Sequence, residues 1–192
     1  MKTGLSRREF VEVALALGAG AVLSACLPEA GGPRSPSPSE PAPPPPRPLA
    51  AADRRTLEAA TARLIPTDDL PGAREADVVG FIERQLATPQ LAPFRRELET
   101  GAAALDFVGR AGFGRPFVAL AEDEQDEVLR GIERGEGSTG TFAARHFFAV
   151  LLALTIEGFL SDPVHGGNRD EAGWKAIGWS PRNPWVHGSH HG

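Results

Sequence analysis

Apolar residues recur along the greater part of this chain at helical rather than strand intervals. Between Ala50 and Leu64, Leu57, Ala60 and Leu64 share one face, and Pro66 stops the run. Ala73 to Leu86 places Val78, Phe81, Ile82 and Leu86 at the i, i+3, i+4, i+8 spacing of an amphipathic helix. Pro93 suits the first turn of a third helix, whose Phe94, Leu98, Leu105 and Val108 face inward before the Gly109 to Gly114 region breaks it. A fourth helix, Glu122 to Arg134, opens on Glu122, Asp123 and Glu124, which suit the positive end of a helix dipole, and buries Val128, Leu129 and Ile132. Thr141 to Leu160 is the most apolar segment. Its uncharged run from Phe147 to Ile156, flanked by Arg145, His146 and Glu157, reads as a central core helix. A membrane span needs roughly 20 apolar residues, and this run is too short. No stretch alternates with period two for long enough to predict a strand. The pattern predicts an all-α fold, a compact single-domain helical bundle with long loops over residues 49–192.

Two segments before that domain follow other rules. Residues 1–26 carry positive charge at Lys2, Arg7 and Arg8, then an apolar centre from Val13 to Ala25, then Leu23-Ser24-Ala25-Cys26. A positive start, a short apolar centre and small residues at the cut make an export signal. The order Ser6-Arg7-Arg8-Glu9-Phe10 matches a twin-arginine (Tat) signal, in which Arg7, Arg8 and Phe10 engage the translocase. Leu23 to Cys26 has the order of a bacterial lipobox, so Cys26 is the expected point of lipid attachment and the new N-terminus. Acyl chains contribute about 0.8 kcal/mol per buried methylene, so several together hold a protein stably to a membrane. The expected location is therefore periplasmic, as a membrane-anchored lipoprotein exported by the Tat pathway. Residues 27–48 then read as a Pro-rich linker: ten of the 22 are proline, a composition that extends rather than packs.

Charge and composition narrow the function classes. Beyond Cys26, 17 basic residues stand against 23 acidic ones, a net charge of −6 with His neutral, which argues against a nucleic-acid partner. Cys26 is the one cysteine in the chain, which rules out an intrachain disulfide, a cysteine-ligated iron–sulfur cluster and C-x-x-C-H haem attachment. No phosphate loop, G-x-S-x-G elbow or H-E-x-x-H is present, and Gly109, Gly112 and Gly114 lack the spacing and the preceding strand of a dinucleotide fingerprint. No catalytic residue, cofactor or metal site is assigned to this chain. His146, within the apolar segment, reads as a hydrogen-bonded core histidine. His187, His190 and His191 among glycines and serine form a tail without fixed geometry for a metal, although imidazole suits Zn, Cu and Ni.

Two loop motifs remain. The first, L-I-P-T-D-D-L-P-G-A at Leu64 to Ala73, sets Asp68 and Asp69 between Pro66 and Pro71, where carboxylates accept from turn amides; Gly72 follows. The second runs from Ser161 to Trp179 and carries Asp162, Pro163, Gly166, Gly167, Asn168, Trp174, Ile177 and Gly178. Gly166, Gly167 and Asn168 can take positive φ, as a tight turn after Pro163 requires. All three tryptophans fall in the last 19 positions. Trp174 is expected to pack on the domain's own core, and Trp179 or Trp185 to contact a partner.

I-P-T-D-D-x-P-G-A-R-E-A at Ile65 to Ala76, and D-P-x-x-G-G-N-R-D-x-x-G-W-K-x-I-G at Asp162 to Gly178, resemble gluconate 2-dehydrogenase subunit 3. The resemblance covers most of residues 50–180. It departs at His165, where an aromatic residue is common, and at W-S-P-R-N-P after Gly178, where F-P-G is usual. It implies a non-catalytic small subunit of a membrane-associated sugar or alcohol dehydrogenase complex. The partner implied is a large FAD-containing subunit of the glucose–methanol–choline type, often with a multihaem cytochrome c as a third subunit. The small subunit would supply Tat export, maturation and, through Cys26, membrane anchoring of the flavoprotein. Two other readings stay open: a free-standing periplasmic lipoprotein that binds metal through the C-terminal histidines, and a lipid-tethered scaffold with no redox partner.

Overall fold

Six α-helices carry the described part of the chain, which in this computed structural model is residues 48–180. They are α1 (Ala51–Leu64), α2 (Val78–Gln85), α3 (Arg95–Phe113), α4 (Glu122–Arg134), α5 (Ala144–Leu160) and α6 (Ala172–Ala176). Short 3-10 turns lie at Ala92–Phe94, Phe117–Ala119, Pro163–His165 and Arg169–Glu171. Among the described residues the only strand-like pairing is one isolated bridge between Thr139 and Phe142. The fold is all-α, and these residues belong to one compact unit, Pro48–Gly192.

The predicted apolar faces build the core. Leu57, Ile82, Leu98, Leu105, Ile132 and Leu151 are wholly enclosed, with Phe81, Phe117, Phe147 and Phe159 filling the spaces between helices. Truncating any of these leucines to alanine costs about 2–5 kcal/mol by loss of apolar burial and creation of a cavity. Helix α5 packs against each of the other five. Its closest approach to α3 depends on Gly101, where a Cβ would stand 2.1 Å from the Phe147 ring.

Helix α4 spans the predicted residues, Glu122 to Arg134, with the acidic opening in its first turn. Glu124 accepts from the Ala121 amide at 2.7 Å, satisfying one of the free N–H groups at the helix start. Arg63, in the last turn of α1, clamps the Asp126 carboxylate with two bonds at 2.8 and 3.1 Å and reaches Glu122 at 2.6 Å. Asp126 and then Glu122 hold the Arg63 proton more tightly than usual, against the opposing effect of burial.

Four expectations are corrected. Helix α2 begins at Val78 rather than Ala73, because Asp77 takes φ 54°, ψ 42° and breaks the helical path. Helix α3 continues through Gly109 and Gly112 to Phe113; it stops at Gly114, whose φ of 71° is the usual left-handed helix end. Helix α5 begins at Ala144, since Thr139 and Phe142 pair across a tight turn just before it. His146 is not a core residue: its side chain is 62% exposed, with Nδ1 2.5 Å from Glu97 on α3. The spacing of a helix apolar on nearly every side cannot say which side faces water.

Candidate functional site

The first loop motif folds back on itself. Pro66 ends α1, and the Ala73 amide donates to the Ile65 carbonyl at 2.9 Å, closing the loop. Within it Asp68 accepts from the Leu70 amide at 2.9 Å, the turn role predicted for this carboxylate. Glu75 does more: one oxygen accepts from the Thr67 hydroxyl at 2.7 Å and the Gly72 amide at 2.8 Å. The Thr67 bond, then the Gly72 bond, hold the Glu75 carboxyl below its ordinary range. Gly72 is required by space, since a Cβ there would meet the Ile65 carbonyl oxygen at 2.6 Å and Pro66 at 2.7 Å.

The second motif turns on Asn168. Gly166 and Gly167 take φ of 71° and 92°, and Asn168 follows at 42°, so the predicted positive-φ turn is present. Asp162 starts it by accepting from the Val164 amide at 3.0 Å, with Pro163 in the first turn position. The Asn168 side chain is fully buried and answers both its polar ends. Its Nδ2 donates to the Ser161 carbonyl at 2.8 Å and its Oδ1 accepts from the Gly173 amide at 2.8 Å. Its own amide donates to Gly158 at 2.8 Å, so one residue ties the end of α5 to the start of α6. Trp174 is buried against the core as predicted, with its indole N–H donating to Leu160 at 2.9 Å.

The two motifs meet over α2. Arg169 donates its amide to the Ala76 carbonyl at 3.2 Å, and its guanidinium lies 2.8 Å from the Asp77 carboxylate. Arg84 approaches the same carboxylate at 3.6 Å and Arg54 at 3.9 Å. Arg54 is also paired with Glu58 at 2.9 Å and with Glu83. A Cβ at Gly166 would run into the Arg84 guanidinium, and one at Gly167 would meet the Gly158 carbonyl oxygen at 2.5 Å and Phe81 at 2.9 Å. Motif spacing pointed to neither Asp77 nor Arg84; Arg169 and Glu75 stand inside the two motifs, but only the fold gives them partners.

Around these joined loops apolar side chains face outward. Val164 is 78% exposed, Trp179 49%, Ile177 47% and Leu70 38%. Trp179 is nonetheless held: its amide donates to Trp174 at 2.8 Å, and its ring meets the Trp174 ring edge to face at 4.5 Å. Pro71 and Gly178 complete the loops, Gly178 with φ 67°. Arg7, Arg8, Phe10, Cys26, Trp185 and the histidines at 187, 190 and 191 lie outside the described residues. Among the described residues no group of three or more His, Cys, Asp or Glu is placed to hold a metal ion. No described helix is long and apolar enough to cross a membrane.

A shallow groove of about 340 Å³ opens elsewhere, between α1 and α3, with Ala52, Thr56, Ala102 and Phe107 on its walls and Asp53, Asp106 and Arg110 as its charged groups. Burial, then the nearby Glu99 and Asp106 carboxylates, push the Asp53 carboxyl up.

The molecule is thus a small helical protein whose sequence motifs serve to build two interlocked loops that display apolar side chains. The chain belongs to the gluconate 2-dehydrogenase subunit 3 family, whose model matches residues 51–181 and so takes in both motifs. No curated protein and no solved structure matches the chain.

Proposed function

We propose that this chain is the non-catalytic small subunit of a periplasmic, FAD-dependent dehydrogenase complex, with a flavoprotein of the glucose–methanol–choline type as its partner. The observation that carries the reading is Trp179, a large aromatic half in water yet fixed by a backbone bond and an edge contact to a buried neighbour. A pre-ordered exposed tryptophan lowers the entropy cost of association and is the usual form of an interface anchor. Val164 and Ile177 extend the apolar surface offered by the same motif. Membership of a family named for a dehydrogenase subunit supports the same reading.

In this reading Arg7 and Arg8 take the assembled pair to the Tat translocase, and Cys26 anchors it to the membrane through its lipid. Tat export serves proteins that fold before crossing, and the flavoprotein is the passenger with that need. Any haem c belongs to a third subunit. The test is co-expression of the full chain with the flavoprotein encoded beside it, affinity purification from the membrane and an absorbance spectrum. A flavin band near stoichiometric with this chain is expected; a colourless, solitary lipoprotein overturns the reading. Arg7→Lys with Arg8→Lys is expected to strand the flavoprotein in the cytoplasm.

A further inference from the structure

Arg84, on α2, keeps its hydrogen-bonding capacity unspent. Where Arg54, Arg63, Arg115 and Arg134 each donate to a carboxylate, Arg84 donates no hydrogen bond among the described residues. Its one ion pair there is with Asp77 at 3.6 Å, and its side chain is 49% exposed. Arg169 reaches the same Asp77 oxygen, Oδ2, at 2.8 Å and is also more than half in water. Arg54, the third guanidinium near Asp77, has Glu58 and Glu83 as well. Arg84 and Arg169 therefore divide one carboxylate between them, a local excess of one positive charge in a chain whose net charge is negative.

The second motif closes over this guanidinium. Gly166 lies so near it, with φ 71°, that a Cβ there would run into Nε and Cζ of Arg84. Val164, in the same turn, projects into water. An arginine fork packed against the backbone, with its N–H groups free and an apolar side chain in the adjoining turn, suits a carboxylate at a protein interface, where two N–H groups bond both oxygens. The other charges of the motif decide which anion fits. Asp162, Asp170 and Glu171 are exposed on the same loops, so an extended anionic surface such as a lipid bilayer is repelled, whereas one projecting carboxylate is small enough to pair with Arg84 and Arg169 alone. We infer that Arg84, with Arg169 beside it, receives an aspartate or glutamate side chain of the flavoprotein subunit, which rests on the accessory-subunit reading above.

The test titrates the full chain, purified from the membrane, with the purified flavoprotein encoded beside it and reads bound flavin by absorbance. Wild type is expected to bind more weakly as salt rises. Arg84→Gln removes the charge and keeps most of the side chain. It is expected to bind about tenfold more weakly, with a flatter salt dependence and an unchanged unfolding midpoint. Arg84→Lys, which keeps the charge without the fork, is expected to fall between. Wild-type affinity in Arg84→Gln overturns the inference and leaves the accessory-subunit reading standing, whereas a wild-type chain that binds no flavoprotein overturns both. Affinity that falls only together with the unfolding midpoint, in Arg84→Gln and Arg84→Lys alike, makes Arg84 a folding residue and also overturns it. So does Arg84-dependent binding of the Cys26→Ser chain to phosphatidylglycerol vesicles with flavoprotein binding unaffected, which assigns the pair to a lipid headgroup.

Discussion

The guanidinium of Arg169 lies 2.8 Å from the carboxylate of Asp77, and this pair joins the two sequence motifs into one object. Asp77 occupies the left-handed region that interrupts the helical path before α2, and its carboxylate stands over Gly80, where a Cβ would be 2.4 Å away. The conformation that shortens α2 is thus the one that offers a carboxylate to Arg169, Arg84 and Arg54. Arg169→Ala is expected to lower unfolding stability by about 0.5–1 kcal/mol, because its guanidinium is more than half exposed and solvent screens the pair. Asp77→Ala is expected to cost more, since it takes the shared carboxylate from three guanidiniums, Arg169, Arg84 and Arg54. Urea unfolding of the two single variants and the double variant measures the coupling; strict additivity would show that the pair joins nothing.

Asn168 is the residue on which the second motif depends most. Asn168→Ala strands the buried Gly173 amide and the partly buried Ser161 carbonyl. At about 1–3 kcal/mol for each unsatisfied group, a loss of about 3 kcal/mol is expected. Asn168→Asp keeps the acceptor for Gly173 but sets a carboxylate oxygen against the Ser161 carbonyl in a buried site, and should cost at least as much. Chemical denaturation followed by tryptophan fluorescence suits the test, because Trp174 sits in α6 beside the broken bonds. A change below a few tenths of a kcal/mol would remove Asn168 from its central place.

How much of this could be read along the chain depended on whether the determining forces were local. Helix α4 was legible because its acidic opening acts within one turn and Val128, Leu129 and Ile132 mark its buried face. The positive φ of Gly166, Gly167 and Asn168, and the burial of Trp174, were legible for the same reason: residue type and near neighbours decide them. The break at Asp77 was not, since nothing in an aspartate inside an amphipathic pattern announces a left-handed backbone. It is held there by Arg169, from the far end of the domain, whose presence no periodicity records. His146 failed in the opposite sense. Its apolar neighbours suggested a core position, but the exposed side of α5 opens on Arg145 and His146, just before the uncharged run that fills the core. Neither the pairing of Glu75 with Thr67 and Gly72 nor the groove between α1 and α3 leaves a trace in spacing.

The first loop should respond to acid in a defined direction. Glu75 has its folded-state carboxyl held below the ordinary range, chiefly by the Thr67 hydroxyl and then by the Gly72 amide. Its folded form therefore binds a proton less readily than its unfolded form. The stability it contributes is present above the unfolded pKa and is lost as pH falls through the folded one. Wild type is accordingly expected to lose more stability than Glu75→Gln between neutral pH and the acid range below the ordinary glutamate value. Thr67→Val, which removes the first-named cause, should reduce the same difference. Unfolding midpoints compared across that window check it, and parallel curves for wild type and Glu75→Gln would refute the linkage.

Trp179 separates folding from binding. Its ring is about half exposed and touches Trp174 at one edge, so Trp179→Ala removes little buried surface and is expected to cost less than about 1 kcal/mol of stability. A tryptophan anchor at an interface, by contrast, is worth about 2 kcal/mol or more on truncation, which corresponds to a thirtyfold or greater loss of affinity. Trp174→Ala should show the reverse order, because that ring is buried and its N–H is bonded to Leu160. The measurement is the flavin-to-chain ratio recovered on affinity purification, set beside the unfolding midpoint of each variant. A Trp179→Ala chain that keeps its midpoint and loses the flavin places the partner on this face. One that keeps both takes Trp179 out of the interface, and the contact is then sought at Val164, Ile177 and Leu70, the other exposed apolar side chains of the two motifs.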